Sequence, residues 1–598
     1  FFIPAKRTQD HNTALNQPTP AIVAQSAVRR LPRLALILLC AAYLMPGLLG
    51  RGPWKSEDIS SFGYMLELAQ TQDGIARWLD PLLMGMRPET LALIPYWAGA
   101  WAIQIAPSWV TPDLAVRVVF ALFLWGAFSA TWYAVYYFAR TPWAQPVAFA
   151  FGGEAHPKDY ARAIADGGLM ALIACLGLAQ LGHETTPALT QLFFVASMFY
   201  GMAALPYRTL AGSIGMALGV VGMALSGGPT VAMILGTGCA LYAAYEWRRG
   251  AKAENGNGMD EDGAEHAGYN ATSVAVIAGA TLLAGGLAFA LDLVQWRIEM
   301  PGARPGETVA GDLRSLGRLV LWFTWPAWLL VLWALWRWRR QLKARHVAVP
   351  LWFVLVPMAA TFTTDFAQRS LLLTLPALAT LSAFALPTFR RSASALIDWF
   401  TLLFFSGSAL IIWVYYVAMQ TGFPPKPAAN VARLAPGFVP QYSTLALLFA
   451  VAATIAWAWL VRWRTGRHRA ALWKTLVLPA GGAALCWTLV MTLWLPPLDY
   501  ARSYVPQVEA VKNLIGEQPE CIAELQLERA HIAALRYHGQ FNLQSLTSDS
   551  KCRWLLVNPE AIGGLHDIID LHQWRLIRTL RRPTAKTDDL LLYQRLTP

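Results

Sequence analysis

The sequence predicts a polytopic α-helical membrane protein of about thirteen transmembrane helices, with a small C-terminal α/β domain outside the bilayer. Three observations carry that expectation. Of 598 residues, 56% are hydrophobic and only 14% charged, against about 25% charged in an ordinary soluble domain. Apolar runs recur along the first five hundred residues, many near the ~20 residues a helix needs to cross a bilayer. After residue 497 that pattern stops. This composition excludes a disordered chain, a coiled coil and a simple soluble enzyme.

In chain order, residues 1–32 are polar, and Lys6, Arg7, Arg29 and Arg30 place them in the cytoplasm, because basic residues flanking spans stay inside. The apolar runs are 33–50, 91–108, 113–139, 166–182, 186–204, 208–226, 229–247, 270–292, 317–336, 347–363, 370–388, 395–419, 440–461 and 473–495. Basic clusters at Arg248-Arg249, Arg337 to Arg345, Arg390-Arg391 and Arg462 to Arg469 make their loops cytoplasmic by the same rule. Counting from both ends then predicts thirteen crossings, with one of the four short runs in 166–247 incomplete. Ser226-Gly227-Gly228-Pro229 is the expected break. Residues 33–497 form the transmembrane domain, with outer loops 51–90, 140–165 and 293–316. The acidic, Gly-rich 254–267 reads as a disordered cytoplasmic loop.

Residues 498–598 read as a periplasmic α/β domain. VEAVKNLIG has the pattern of an amphipathic helix ended by Gly516. The stretches CIAEL and CRWLLVN read as buried strands. Cys521 and Cys552 begin them, and a disulfide between the two suits an oxidising compartment. Cys40, Cys175, Cys239 and Cys486 lie in apolar runs and read as small hydrophobes. The net charge of +12, from 48 basic and 36 acidic residues, is accounted for largely by cytoplasmic loops. It does not call for a nucleic-acid partner.

Charge is costly near hydrocarbon, so ionisable residues at outer span edges are the informative ones. RGPWKSEDISSFGYMLELAQ places Arg51, Lys55, Glu57 and Asp58 directly after the first run. Its apolar spacing suits a helix lying on the membrane surface. The 140–165 loop offers Glu154, His156, Lys158, Asp159 and Arg162, and Asp166 opens the next run. Arg369 precedes LLLTLPALATL. Carboxylates beside cations at a water–lipid boundary suit a reaction on a lipid phosphate. Cations hold the leaving phosphate, and a carboxylate takes a proton from the acceptor.

In the order of these features the sequence resembles the GT-C class of polytopic glycosyltransferases. It is most similar to the branch holding bacterial aminoarabinose transferases of lipid A and protein O-mannosyltransferases. The resemblance rests on Glu57-Asp58 with the FGYMLELA stretch, Gly85, Tyr96-Trp97, Ala115-Val116-Arg117, Asp166, and Arg369 before the Leu-Pro-rich helix. It departs from the family in three places. The acidic pair is inverted from Asp-Glu. Leu91 stands where relatives carry a phosphate-binding lysine. Gly227-Gly228-Pro229 lacks the family's lysine before Gly-Pro.

The resemblance implies a bacterial inner-membrane, inverting glycosyltransferase. It would move a sugar from a polyprenyl-phosphate carrier to a periplasmic-face glycolipid of the lipid A or lipopolysaccharide type, or to a protein. Glu57, Asp58 and Asp166 are then the catalytic carboxylates. Lys55, Arg87, Arg117, Lys158 and Arg369 are the candidates for holding phosphate or sugar. No cofactor is expected, and without an Asp-x-Asp motif in the outer loops no metal either. A ligase or polymerase using lipid-linked oligosaccharide, and a lipid or solute transporter, are the alternatives. A transporter should place paired charges at mid-bilayer, whereas here they crowd span edges.

Overall fold

The structure, a computed structural model, describes residues 19–54, 56–71, 74–254, 268–294, 308–363, 367–389, 391–465, 471–516, 519–547, 550–585 and 588–596. Its helices form a bundle with two ends. Residues 19–32 lie at one, the N-terminal face, and the C-terminal domain covers the other, the distal face.

Helix α1 (Arg33–Leu44) leads to the distal face, where α2 (Glu57–Gln70), α3 (Ile75–Leu79) and α4 (Ile94–Ile105) follow. Helix α5 (Pro112–Ala139) returns, and α6 (Pro157–Ala174) with α7 (Leu178–Leu181) crosses again. Helices α8 (Pro187–Ala204), α9 (Thr209–Leu225), α10 (Pro229–Glu254) and α11 (Ala271–Ala290) alternate in direction. Helix α12 (Val309–Phe323) meets α13 (Ala327–Arg337) at an 87° bend. Then come α14 (Arg345–Thr361), the broken pass α15 (Ala367–Leu372) and α16 (Leu375–Ala383), α17 (Arg391–Thr421), the short distal α18 (Pro425–Leu434), α19 (Thr444–Thr465) and α20 (Lys474–Leu493).

Named ties fix the two ends. At the N-terminal face the Trp473 indole donates to the Arg29 carbonyl at 2.7 Å, Arg345 pairs with Glu246 at 2.9 Å, and Arg464 pairs with Asp398 at 2.5 Å. At the distal face Leu93 N–H donates to the Leu225 carbonyl at 2.8 Å, and the Trp494 indole to the Ile412 carbonyl at 3.0 Å. Among the described residues the passes are α1, α5, α6–α7, α8, α9, α10, α11, α12–α13, α14, α15–α16, α17, α19 and α20, thirteen in all. Among the described residues seven stretches, with Gln368–Thr388 of the α15–α16 pass taken as one, are long and apolar enough to cross a membrane, while α1, α9 and α14 are apolar but shorter. The bundle's outside is apolar: Leu396, Leu403 and Leu410, spaced by seven along α17, are 71%, 65% and 64% exposed. Such a stripe is what a lipid-facing helix presents. Helix α16, by contrast, is buried along its whole length.

The crossing that the sequence miscounts is 91–108, not one of those in 166–247. Helix α4 has 12 residues, about 18 Å at 1.5 Å per residue, and both its ends stay at the distal face. Its start is tied to Leu225, and Gln104 near its end donates to the Ala69 carbonyl of the α2 end. All four runs in 166–247 are passes, and Ser226-Gly227-Gly228 is a turn between two of them, with Gly227 at φ +89°. Hydropathy could not separate these cases, since α1 is equally short. What separates them is where their ends are anchored.

The consequence is that 140–165 shares a face with the first described residues, where the outer-loop reading sets it opposite them. It lies at the N-terminal face, laced to the first described residues. Val147 N–H donates to the Ala21 carbonyl, Gln25 N–H to Gly153, and Ala155 N–H to Val23. Arg30 pairs with Asp159 at 3.2 Å. Of the expected outer loop 293–316, residues 295–307 lie outside the described residues, and 309–316 are already helical in α12.

After α20, helices α21 (Leu495–Arg502) and α22 (Val505–Ile515) lead into a five-stranded sheet of order β2-β1-β3-β5-β4. Strands β1 (Ile522–Leu525), β2 (Leu543–Ser545) and β3 (Trp554–Val557) are parallel, with α23 (Arg529–Tyr537) as the β1–β2 crossover. Strand β5 (Asp589–Arg595) pairs antiparallel with β3 and with β4 (Trp574–Arg581). Central β3 is buried at every position, as a strand covered on both faces must be. Gly516, at φ +84°, ends α22. Parallel pairing sets Ile522 opposite Trp554 and so brings the residues before each strand together. Cys521 and Cys552 are joined by a disulfide there, Cα to Cα 5.3 Å.

Candidate functional site

Helix α2 begins at Glu57, with both acids in its first turn, where the helix dipole favours negative charge. The two carboxylates point to different surroundings. Asp58 turns inward and is 1% exposed. It accepts from Trp54 N–H at 3.0 Å, from Arg51 at 3.1 Å, and from both the N–H and the hydroxyl of Thr185 at 2.6 Å. Arg51 also donates to the Gly47 and His183 carbonyls. A carboxylate with this many donors is a strut that ties the α2 start to the α7–α8 connection. It has little capacity left for a substrate.

Glu57 faces away from that strut and pairs with Arg369 of α15, 312 residues on. Burial raises its pKa above the ordinary carboxylate value, Arg369 opposes this, Glu89 adds to it, and Arg529 of α23 pulls the other way. Tyr96 and Tyr64, with rings 5.5 Å apart, stand beside this group. The C-terminal domain thus contributes a cation: Arg529 pairs with Glu89 at 3.1 Å and donates to the Arg87 carbonyl.

Two further residues of this neighbourhood were not singled out from the sequence. Glu184 follows His183 in the α7–α8 connection and is 6% exposed. Its pKa is pushed up to about 7, by burial first and then by the Asp58 charge, while Arg51 and Arg369 pull it down. Gln180 donates to one of its oxygens at 2.7 Å. Arg502, at the end of α21, lies 5.5 Å from the centre of the Trp54 ring, and Arg51 lies 4.7 Å from it. Glu184 is its opposite charge, and among the described residues its guanidinium makes no hydrogen bond. The distal face therefore assembles Glu57, Glu184, Arg369, Arg502 and Arg529 from five separate elements.

The other expected site residues fall elsewhere. Asp166 sits within α6, where it accepts from the Trp132 indole at 2.9 Å and from the Leu31 backbone. Leu31 precedes α1, so Asp166 belongs to the half of the bundle near the N-terminal face, away from Glu57. Lys158 is exposed at that same face. Arg117 reaches the distal face but is committed to Asp113 and, at 2.7 Å, to the Leu48 carbonyl. Arg87 is exposed and paired with Asp80 at 3.0 Å and Asp292 at 3.4 Å. Lys55 lies outside the described residues. The two positions that lack the family's lysines meet each other: a Cβ on Gly227 would stand 3.1 Å from the Leu91 carbonyl. Their surroundings, with Leu93, Ala288 and Leu293, are apolar. Among the described residues no group of three or more His, Cys, Asp or Glu side chains is arranged to hold a metal ion.

The architecture is that of a polytopic helical membrane bundle capped at one end by a small α/β domain. Two solved structures of ArnT from Cupriavidus metallidurans share it. The chain is 11% identical to the apo form, with a TM-score of 0.60, and 10% identical to the form bound to undecaprenyl phosphate, with a TM-score of 0.58. Each match covers 94% of this chain and 97% of that one. No protein-family model matches the chain, and no curated protein matches it in sequence.

Proposed function

We propose that this protein is a membrane glycosyltransferase that takes a sugar from a polyprenyl-phosphate carrier at the distal face. The carrying observation is the Glu57–Arg369 pair beside Glu184 and Arg502. It sets two guanidinium groups and two proton-accepting carboxyls together where the bundle meets a soluble domain. The fold shared with a protein bound to undecaprenyl phosphate supports the choice of donor.

In this reading Arg369 and Arg502 bind the carrier phosphate and stabilise the charge that grows on it as the sugar leaves. The acceptor hydroxyl attacks the anomeric carbon from the side opposite the phosphate. The carbon–oxygen bond to phosphate breaks with its electron pair, and polyprenyl phosphate departs. The acceptor proton passes to Glu184, whose pKa of about 7 suits proton acceptance near neutral pH, or to Glu57, whose pKa burial also raises. Attack from the opposite side inverts the anomeric centre. The distal face is then periplasmic, in agreement with the basic clusters at the other face and the disulfide in the soluble domain. Bacterial inner membrane is the corresponding location, with a glycolipid of the lipopolysaccharide type as acceptor.

Proteoliposomes holding the purified chain test the reading. Sugar transfer from a polyprenyl-phosphate donor, with no net solute movement, is expected. Solute movement without transfer would replace it by the transporter reading.

A further inference from the structure

A cleft of about 800 Å³ opens on the other side of the Arg51–Asp58 strut, at the seam between the bundle and the C-terminal domain. Its walls come from residues 49–52, the end of α2, the start of α5, and the end of α23 with the residues after it. A volume of this order is that of a ligand pocket, not of a packing defect.

The chemistry of its walls is specific in two respects. Each guanidinium there is already paired: Arg51 with Asp58, Arg117 with Asp113, and Arg536 with Glu67, which Arg77 shares. Anionic groups therefore gain little from it. Hydrogen-bonding capacity, in contrast, is left over. The Gln70 and Gln540 amides are exposed and make no hydrogen bond among the described residues. His538 Nε2 is buried and has no hydrogen-bond partner among the described residues. Burial lowers the His538 pKa to about 4, so the ring is neutral at physiological pH and can donate or accept. The Tyr537 ring lies beside it at 4.8 Å. A Cβ on Gly52 would stand 3.6 Å from His538 Cε1 and 3.9 Å from Nε2, so a larger side chain there would press on the ring.

We propose that this cleft binds the uncharged, hydroxyl-rich headgroup of a glycolipid, as a subsite separate from the arginines that hold phosphate. Naming the bound molecule as the acceptor rests on the transferase reading above; the binding itself does not. Uncharged amide and imidazole groups exchange hydrogen bonds with sugar hydroxyls, the Tyr537 hydroxyl, which donates to Asp113 at 2.8 Å, can still accept one, and Leu49 and Leu66 on the wall suit the start of an alkyl chain.

The test is photolabelling of the full chain in nanodiscs by an alkyl maltoside with a diazirine next to the sugar. Labels are expected on peptides containing Gln70, Asp113 or His538. Excess dodecyl maltoside should compete them away, and dodecyl phosphocholine should not. Gly52→Leu, which fills the His538 wall, is expected to cut labelling at least fivefold while undecaprenyl phosphate binding stays. If that variant does not fold, the Gln540→Ala, His538→Ala pair should give the same loss. Labels elsewhere, equal competition by phosphocholine, or full labelling in the folded variants would overturn the proposal. Labelling retained in a chain that transfers no sugar would overturn the acceptor assignment and leave the subsite.

Discussion

The two charged loops near the start of the chain, 51–90 and 140–165, look alike in sequence and differ in what the fold does with them. In 51–90 the acidic pair is drawn inward: Asp58 is 1% exposed, and Glu57 meets an arginine more than three hundred residues away. In 140–165 the charges stay at the surface: Lys158 is exposed, and Asp159 pairs with Arg30 of the preceding segment, itself exposed. Burying a charge is costly unless it is paired and hydrogen-bonded, so the first loop pays a cost that the second avoids. That contrast, more than the presence of acids, is why the proposed site is put at the distal face.

The largest effect should come from breaking the buried side of this contrast. Arg369→Ala or Glu57→Gln is expected to lower transfer by about 10²–10³-fold, the magnitude for removing a group that stabilises transition-state charge, with expression and size-exclusion profile unchanged. Asp58→Asn should act through folding instead. Removing a partner from a buried ion pair costs about 3–5 kcal/mol, so thermal unfolding in detergent should move to markedly lower temperature. A variant of normal stability that fails only in transfer would make Asp58 a catalytic group instead of a strut.

Glu184 sharpens the comparison through pH. If its carboxylate accepts the proton, the wild-type rate should rise with pH through about 7, and Glu184→Gln should flatten that limb. The stability effect has the opposite sign. With a pKa raised from an ordinary 4.5 to about 7, the folded chain holds a proton that the unfolded chain has released. Glu184 therefore makes stability fall as pH rises between those values. Melting curves across that window should lose this slope in Glu184→Gln, and an unchanged slope would exclude the raised pKa. The smallest effect belongs to the N-terminal face. Lys158→Ala should change transfer by no more than the ~0.5 kcal/mol usual for surface substitutions. Asp166→Asn, which keeps an acceptor for Trp132, should remain active.

Much of the bundle was legible because apolar runs and basic clusters are direct readouts of the bilayer. The C-terminal strands were legible because CRWLLVN alternates with polar segments. Arg369 could be seen as a lone charge before an apolar helix. Glu184 could not: GHETT reads as a short connection, and its importance comes from folding against Asp58. Arg502 and Arg529 sit on the soluble domain and its lead-in helix, so only tertiary packing brings them to the bundle. Asp166 was misplaced by the same error that put 140–165 outside. One short helix, α4, has the hydropathy of a span but both ends at one face, and a single parity slip moves every loop behind it.

Binding of undecaprenyl phosphate to the purified chain, compared among wild type, Arg369→Ala and Lys158→Ala, bears most directly on the distal site. The expected result is saturable binding to wild type and Lys158→Ala with closely similar affinity, and binding weakened at least tenfold in a folded Arg369→Ala. Undiminished binding to Arg369→Ala, or its loss in Lys158→Ala, would contradict the placement of the carrier site at the distal face.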